Sequence, residues 1–188
     1  STNLALHAPV TASGAMRNGT WSETNLVDGV RVSQRGGPAT PLPAPMLRKA
    51  FQLTQAIRRA TVYVSALGLY ELRLNGQRVG DQLLAPEWTD YHTRIQYQAC
   101  DVTRRLRRGE NVLGALLGEG WYAGRIGMSD WMVQKLSRVY GDKPWLLVQL
   151  EIELADGTRK FIATDPTWRA TIEGPIRQND IVDGESYD

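Results

Sequence analysis

The side chains of this sequence best equipped for chemistry are its carboxylates, one cysteine and two histidines. Their arrangement withholds most enzyme reactions. Cys100 lies in an apolar-alternating run, and a nucleophilic thiol needs a base or a cation to form its thiolate. His7 and His92 are the available imidazoles. A buried, inert thiol is the plainer reading of Cys100. No Cys or His cluster has metal-ligand spacing. Gly118-Glu119-Gly120 lacks the later glycine and the following helix that a dinucleotide site needs. No Gly-x-Ser-x-Gly elbow occurs. The 20 aspartates and glutamates could supply a glycosidase acid–base pair. They fall mostly on strand faces and in turns, where exposed charge is the default, and nothing singles out an acid and a base. The chain reads as one without an active-site constellation.

The elements that must carry these residues are strands. From Leu47 onward the sequence alternates with period two. Val62, Val64 and Ala66 share one face of their segment. Tyr70, Leu72 and Leu74 oppose Glu71 and Arg73 in the next. Asn75-Gly76 follows, a dipeptide suited to a tight hairpin turn because both residues accept positive φ. Arg94 to Ala99 and Asn111 to Leu117 read as further strands. Val148, Leu150, Ile152 and Leu154 form the clearest alternation, after which Asp156-Gly157 turns the chain into Arg159 to Thr164. Trp168 to Ile172 reads as a last strand, and Val102 to Arg108 as a short helical turn. The opening, up to about Pro45, has the Gly, Ser, Thr, Asn and Pro content of a short strand and long loops. The segment from Tyr122 to Asp142 is a long loop, and long loops on rigid sandwiches often carry function. The expected architecture is all-β: one antiparallel sandwich or jelly roll over residues 1–188.

Composition agrees with a globular domain. Hydrophobic residues make up 42% and charged residues 22% of 188 residues, enough chain to bury a core without staples. The formal net charge is +2. The densest basic run, Arg104-Arg105-Leu106-Arg107-Arg108, reads as a solvated face rather than a phosphate contact, so nucleic acid gains no support. No apolar run is long enough to span a membrane. No secretion signal precedes the domain, and a trimmed chain would not show one.

A series of segments resembles the N-terminal β-domain of bacterial α-L-rhamnosidases, glycoside hydrolase family 78. It runs in order through Ala60 to Glu71, Leu74 to Asp81, Leu84 to Tyr91, Gln96 to Gln98 and Asp101 to Thr103. It continues through Gly109 to Asn111, Leu117 to Gly127, Tyr140 to Pro144 and Asp183 to Asp188. No single piece is diagnostic; the ordered series together is quite specific. Asn3 to Leu6, Val10 to Gly14 and Asn25 to Gly29 are similar to the opening of discoidin-type sugar-binding sandwiches. Both families have a galactose-binding-like jelly roll. The resemblance implies a fragment of a larger glycosidase whose acid and base sit in a separate helical barrel. It implies a non-catalytic module for L-rhamnose or rhamnosylated plant glycans, held partly through a calcium ion, in a secreted or periplasmic enzyme. The competing reading is a structural domain that packs on the catalytic barrel and binds no sugar.

These implications select site residues. Calcium takes six to eight oxygen ligands, so loop carboxylates are the candidates: Asp81, Asp130 and Asp142, with Gln82 and Asp90 close to the sugar. Such aspartates also cap turns through Asx hydrogen bonds. Asp28, by the discoidin likeness, belongs to a structural cation loop with Glu185 as partner. Sugar rings stack their C–H faces on aromatics, which selects Trp88, Tyr91, Trp121 and Trp131. Packing that fixes the loops is the alternative for Trp88 and Trp121. Trp145 and Trp168 flank strands and read as core. Arg125 bridges either sugar hydroxyls or a protein carboxylate. Val139 stands where an amide or acid would have favoured calcium.

Overall fold

The computed structural model describes residues 42–125, 138 and 140–188. The expected opening strand lies outside these residues, as do Asp28, Asp130 and Trp131.

The alternation becomes strands as expected. In β1 (Met46–Leu53), Leu47, Phe51 and Leu53 turn inward while Arg48 and Gln52 face solvent. β2 (Ile57–Leu67) and β3 (Leu69–Leu74) follow, then the two-residue β4 (Gln77–Arg78). Asn75 and Gly76 sit at φ 52° and 81° in the turn between β3 and β4. β5 (Gln98–Asp101) leads through a single 3₁₀ turn at Thr103–Arg105 into β6 (Gly109–Gly118). A four-residue helix, α1 (Gly120–Ala123), opens the long loop. β7 (Trp145–Leu154), β8 (Arg159–Ala163) and β9 (Arg169–Thr171) continue the sandwich. β10 (Ile176–Asp180) and β11 (Gly184–Tyr187) form a hairpin. Among the described residues no helix is long and apolar enough to cross a membrane.

The protein is an all-β, antiparallel sandwich. One sheet has the order β4-β3-β6-β1-β9 and the other β5-β2-β7-β8. Leu72, Leu74, Leu113 and Leu117 from the first meet Val62, Val64, Val148, Leu150 and Ile152 from the second in one core. Full burial of each such side chain contributes about 1.5–3 kcal/mol. Trp168 joins this core, its Nε1 donating to the Ala163 carbonyl at 2.9 Å. Cys100 packs half-buried against it, and burial pushes its thiol pKa up.

β2 is tied to the opposite sheet at both ends. Thr54-Gln55-Ala56 connects it to β1, and Gly68 alone connects it to β3. Gly68 has φ +107°, and a Cβ there would lie 2.5 Å from the Gly118 carbonyl oxygen. Only glycine allows so abrupt a crossing.

Two expectations need correction. Of Arg94 to Ala99 only the end is strand: Arg94 to Tyr97 is loop, and pairing begins at Gln98. The Arg94 carbonyl accepts from the Thr89 hydroxyl, and the Gln96 carbonyl from Ser65 Oγ at 2.5 Å. Side chains thus take the place of a ladder. Trp168 to Ile172 does give β9, but it is not the last strand. The terminal hairpin escapes period-two reading because it buries polar residues, Asn179 and Asp180, rather than an apolar stripe.

Candidate functional site

One end of the sandwich, where β2 ends at Leu67 and β7 begins at Trp145, is capped by aromatic rings. Leu67, Tyr91 and Trp145 are buried together there, with Ile95, Trp121, Tyr122 and Tyr140 packed on them. The Tyr91 ring meets Tyr122 edge-on at 5.3 Å and Tyr140 at 5.0 Å. Its hydroxyl donates to the Glu87 carbonyl at 3.5 Å, and burial pushes its pKa up to about 12. Tyr91 therefore supports the loop from beneath instead of facing solvent. Trp145 is buried as expected, in this cap rather than in the main core, with Lys143 Nζ 4.3 Å from its ring centre. Gly141 is needed for close approach: a Cβ there would fall 2.2 Å from the Tyr122 ring.

Above this layer Trp88 and Trp121 stack nearly parallel, 6.1 Å between centroids and 9° between planes. Trp88 remains 47% exposed. The Trp88 loop and α1, which carries Trp121, are separated in sequence and joined here. Nearby, Asp90 caps its own turn, as Asx chemistry allows. Its Oδ2 accepts from Thr93 Oγ1 at 2.7 Å and its Oδ1 from the His92 N–H at 3.1 Å. These bonds, the Thr93 hydroxyl first, hold its pKa below the ordinary value.

The other candidates are dispersed. Asp81 and Gln82 stand exposed after β4, beside Cys100. The Gln82 carbonyl accepts from Arg78 Nη2 at 2.7 Å. Asp142 is exposed near Tyr122, and Glu185 is exposed on β11. Among the described residues no three His, Cys, Asp or Glu side chains gather as a metal site. Arg125 is committed to the protein itself: its Nη1 pairs with Asp183 at 2.5 Å, and its N–H donates to Asp180 Oδ2 at 3.0 Å.

Beside Arg125 lies a residue that the sequence offered in a rejected nucleotide motif and in the Leu117 to Gly127 segment, never as a site residue. Glu119 is 2% exposed. Its N–H donates to Asn179 Oδ1 at 2.8 Å, which latches α1 to β10. Its Oε1 has no hydrogen-bond partner, and burial raises its pKa to about 7 despite Arg138 and Arg125 nearby. The available signal was a charge flanked by two glycines at the end of an apolar strand.

The family model for the α-L-rhamnosidase N-terminal domain matches residues 55–188. The chain belongs to this family. An α-L-rhamnosidase of Streptomyces avermitilis is 49% identical over 146 residues, covering 77% of this chain and 14% of that protein. One from Formosa agariphila is 39% identical over 142 residues, covering 76% and 15%. The crystal structure of the Aspergillus terreus α-L-rhamnosidase matches 87% of this chain and 18% of its own, with TM-score 0.77 and 37% identity. That of the Streptomyces avermitilis enzyme complexed with L-rhamnose has TM-score 0.75 and 46% identity, covering 86% and 15%. This rhamnosidase N-terminal domain thus spans only about a seventh of the curated relatives it matches.

Proposed function

We propose that this domain is a non-catalytic sugar-recognition module of an α-L-rhamnosidase, and that its ligand is L-rhamnose on plant glycans. The observation that carries the reading is the Trp88–Trp121 stack. Paired indoles, one of them half-exposed, rest on the buried Tyr91 and Trp145 and the partly buried Tyr122 and Tyr140. A rigid apolar face of this kind suits the C–H face of a sugar ring, while loop polar groups fix its hydroxyls. Asp81 and Gln82 keep their side chains free of hydrogen bonds among the described residues, so both remain able to bind. Calcium belongs to the same proposal with a condition. Asp81, Asp142 and Glu185 stand on separate elements and do not assemble a calcium site by themselves. Asp130 and Asp28, the remaining candidate ligands, lie outside the described residues. A cation at such a site would supply charge that sugar hydroxyls can coordinate.

Isothermal titration with L-rhamnose tests this. Binding should be weak, on the order of micromolar to millimolar for a small polar ligand, and Trp88→Ala should remove it. Excess chelator reads the calcium part separately. If L-rhamnose gives no heat with calcium present, the module reading is refuted. The structural alternative then stands: a domain seated on the catalytic barrel of its parent enzyme. That alternative draws on Leu83 and Leu84, which are 75% and 52% exposed in the same loop as Trp88.

A further inference from the structure

At the far end of β2 from the tryptophans lies an open cleft of about 680 Å³ walled by arginines. Arg58 and Arg59 line it from the start of β2, and Arg104 and Arg105 from the 3₁₀ turn. Adjacent residues on a regular strand point to opposite faces. Here the pairing of β2 with β7 slips between Ile57 and Arg59, and such a bulge re-aims a side chain. Both guanidinium groups therefore reach the same cleft. The turn opposite is held in place. Asp101 Oδ1 accepts the Thr103 N–H at 2.8 Å, and Thr103 Oγ1 accepts the Ala60 N–H at 2.9 Å. The Arg105 carbonyl accepts from Asn75 Nδ2 at 2.8 Å, and the fully buried Asn111 fastens the following residues through Arg107.

Acceptors stand among these donors. Glu153 takes Arg58 Nη1 at 2.8 Å, and the Asp101 carboxylate lies within the field of Arg59 and Arg104. Arg105 turns its Nη1 to the Arg78 carbonyl, so the guanidinium groups of Arg58, Arg59 and Arg104 against two carboxylates leave a formal excess of one positive charge. A ligand for this cleft therefore carries anionic groups, which guanidinium forks bind well, and also hydroxyl donors for the remaining lone pairs of Asp101 and Glu153. A uronic-acid residue has both. A DNA backbone presents phosphate acceptors but no hydroxyl donors for the two carboxylates.

We infer that the Arg58–Arg59/Arg104–Arg105 cleft is a second carbohydrate site, which takes uronate-bearing stretches of an acidic glycan. The choice of glycan rests on the reading of this chain as part of a glycan-degrading enzyme; the anion preference does not. The test is calorimetric titration of the full chain with an α-1,4-linked galacturonate trisaccharide, its methyl ester, inorganic phosphate and a single-stranded oligonucleotide. The acid trisaccharide should bind, and its methyl ester should not. Arg59→Gln/Arg104→Gln keeps the side-chain stems and should weaken binding roughly tenfold or more, the worth of a lost charge-assisted bond. Arg104→Glu, a second route, should do the same. Trp88→Ala should leave it unchanged, so loss of rhamnose binding and loss of uronate binding report on different sites. Absence of trisaccharide binding, or equal binding by the double glutamine variant, overturns the site. Equal or tighter binding of phosphate or the oligonucleotide overturns the glycan assignment.

Discussion

Glu119→Gln separates a buried charge from its geometry. The fold raises the Glu119 pKa from 4.5 to about 7, chiefly through burial. Below about pH 4.5 the carboxyl is protonated in both the folded and the unfolded chain and costs nothing. As pH rises from there, the unfolded chain releases its proton first, and stability falls until the folded group also ionises near pH 7. A shift from 4.5 to about 7 is worth about 3 kcal/mol in full at ~1.36 kcal/mol per pH unit. Between pH 5 and pH 8 roughly 2.5 kcal/mol of it is lost, which for a domain of this size lowers the melting temperature by about 5–10 °C. Glutamine has the same shape and no proton to lose. Melting curves of the two proteins should therefore diverge with rising pH, the variant keeping stability that the parent loses above pH 5. The neighbouring charges, Arg125, Arg138 and Asp180, act on the carboxylate and are already contained in the value of about 7; the neutral glutamine does not feel them in this way. Parallel pH profiles would show that the carboxylate is compensated in place, and the reasoning from burial would be wrong.

Three further outcomes follow from the packing. Trp145→Ala empties a buried position in the aromatic cap and should cost about 3–5 kcal/mol in denaturant unfolding; a loss below ~1 kcal/mol would put Trp145 outside any core. Asn111→Ala removes a fully buried amide that bonds to Arg107, Gly109 and Asn75. Stranding those partners should cost roughly 2 kcal/mol or more by the same measurement, and a near-neutral result would show that water replaces the amide. The chain alone should not turn over aryl rhamnosides, and hydrolysis by a purified, uncontaminated sample would contradict a catalytic centre elsewhere in the parent enzyme.

Much of the sandwich was legible because apolar alternation is local information. Val62, Val64 and Ala66 face the core because the pleat leaves them no other side. Asn75-Gly76 marked its hairpin for an equally local reason. The terminal hairpin was hidden because Asn179 and Asp180 are buried to bond backbone groups of distant elements, Glu119 and Arg125, a purpose that period-two reading does not register. The site was half legible. Aromatic types in loops pointed to Trp88 and Trp121, but their stacking joins segments more than thirty residues apart. The use of Arg125 on Asp183 and the burial of Tyr91 are tertiary facts as well. The arginine cleft depends on a bulge, and a one-residue slip leaves no trace in composition.

β2 crosses to the opposite sheet at each of its ends, through Thr54-Gln55-Ala56 and through Gly68. It is therefore a ruler. Its 11 residues set the tryptophan end and the arginine end roughly 33 Å apart at ~3.3 Å per residue, with no hinge between them. If both proposed sites hold sugar, a short oligosaccharide would engage one end at a time. A long glycan that reached both would then gain affinity through effective concentration, without any new contact, and most strongly when its reach matched the strand.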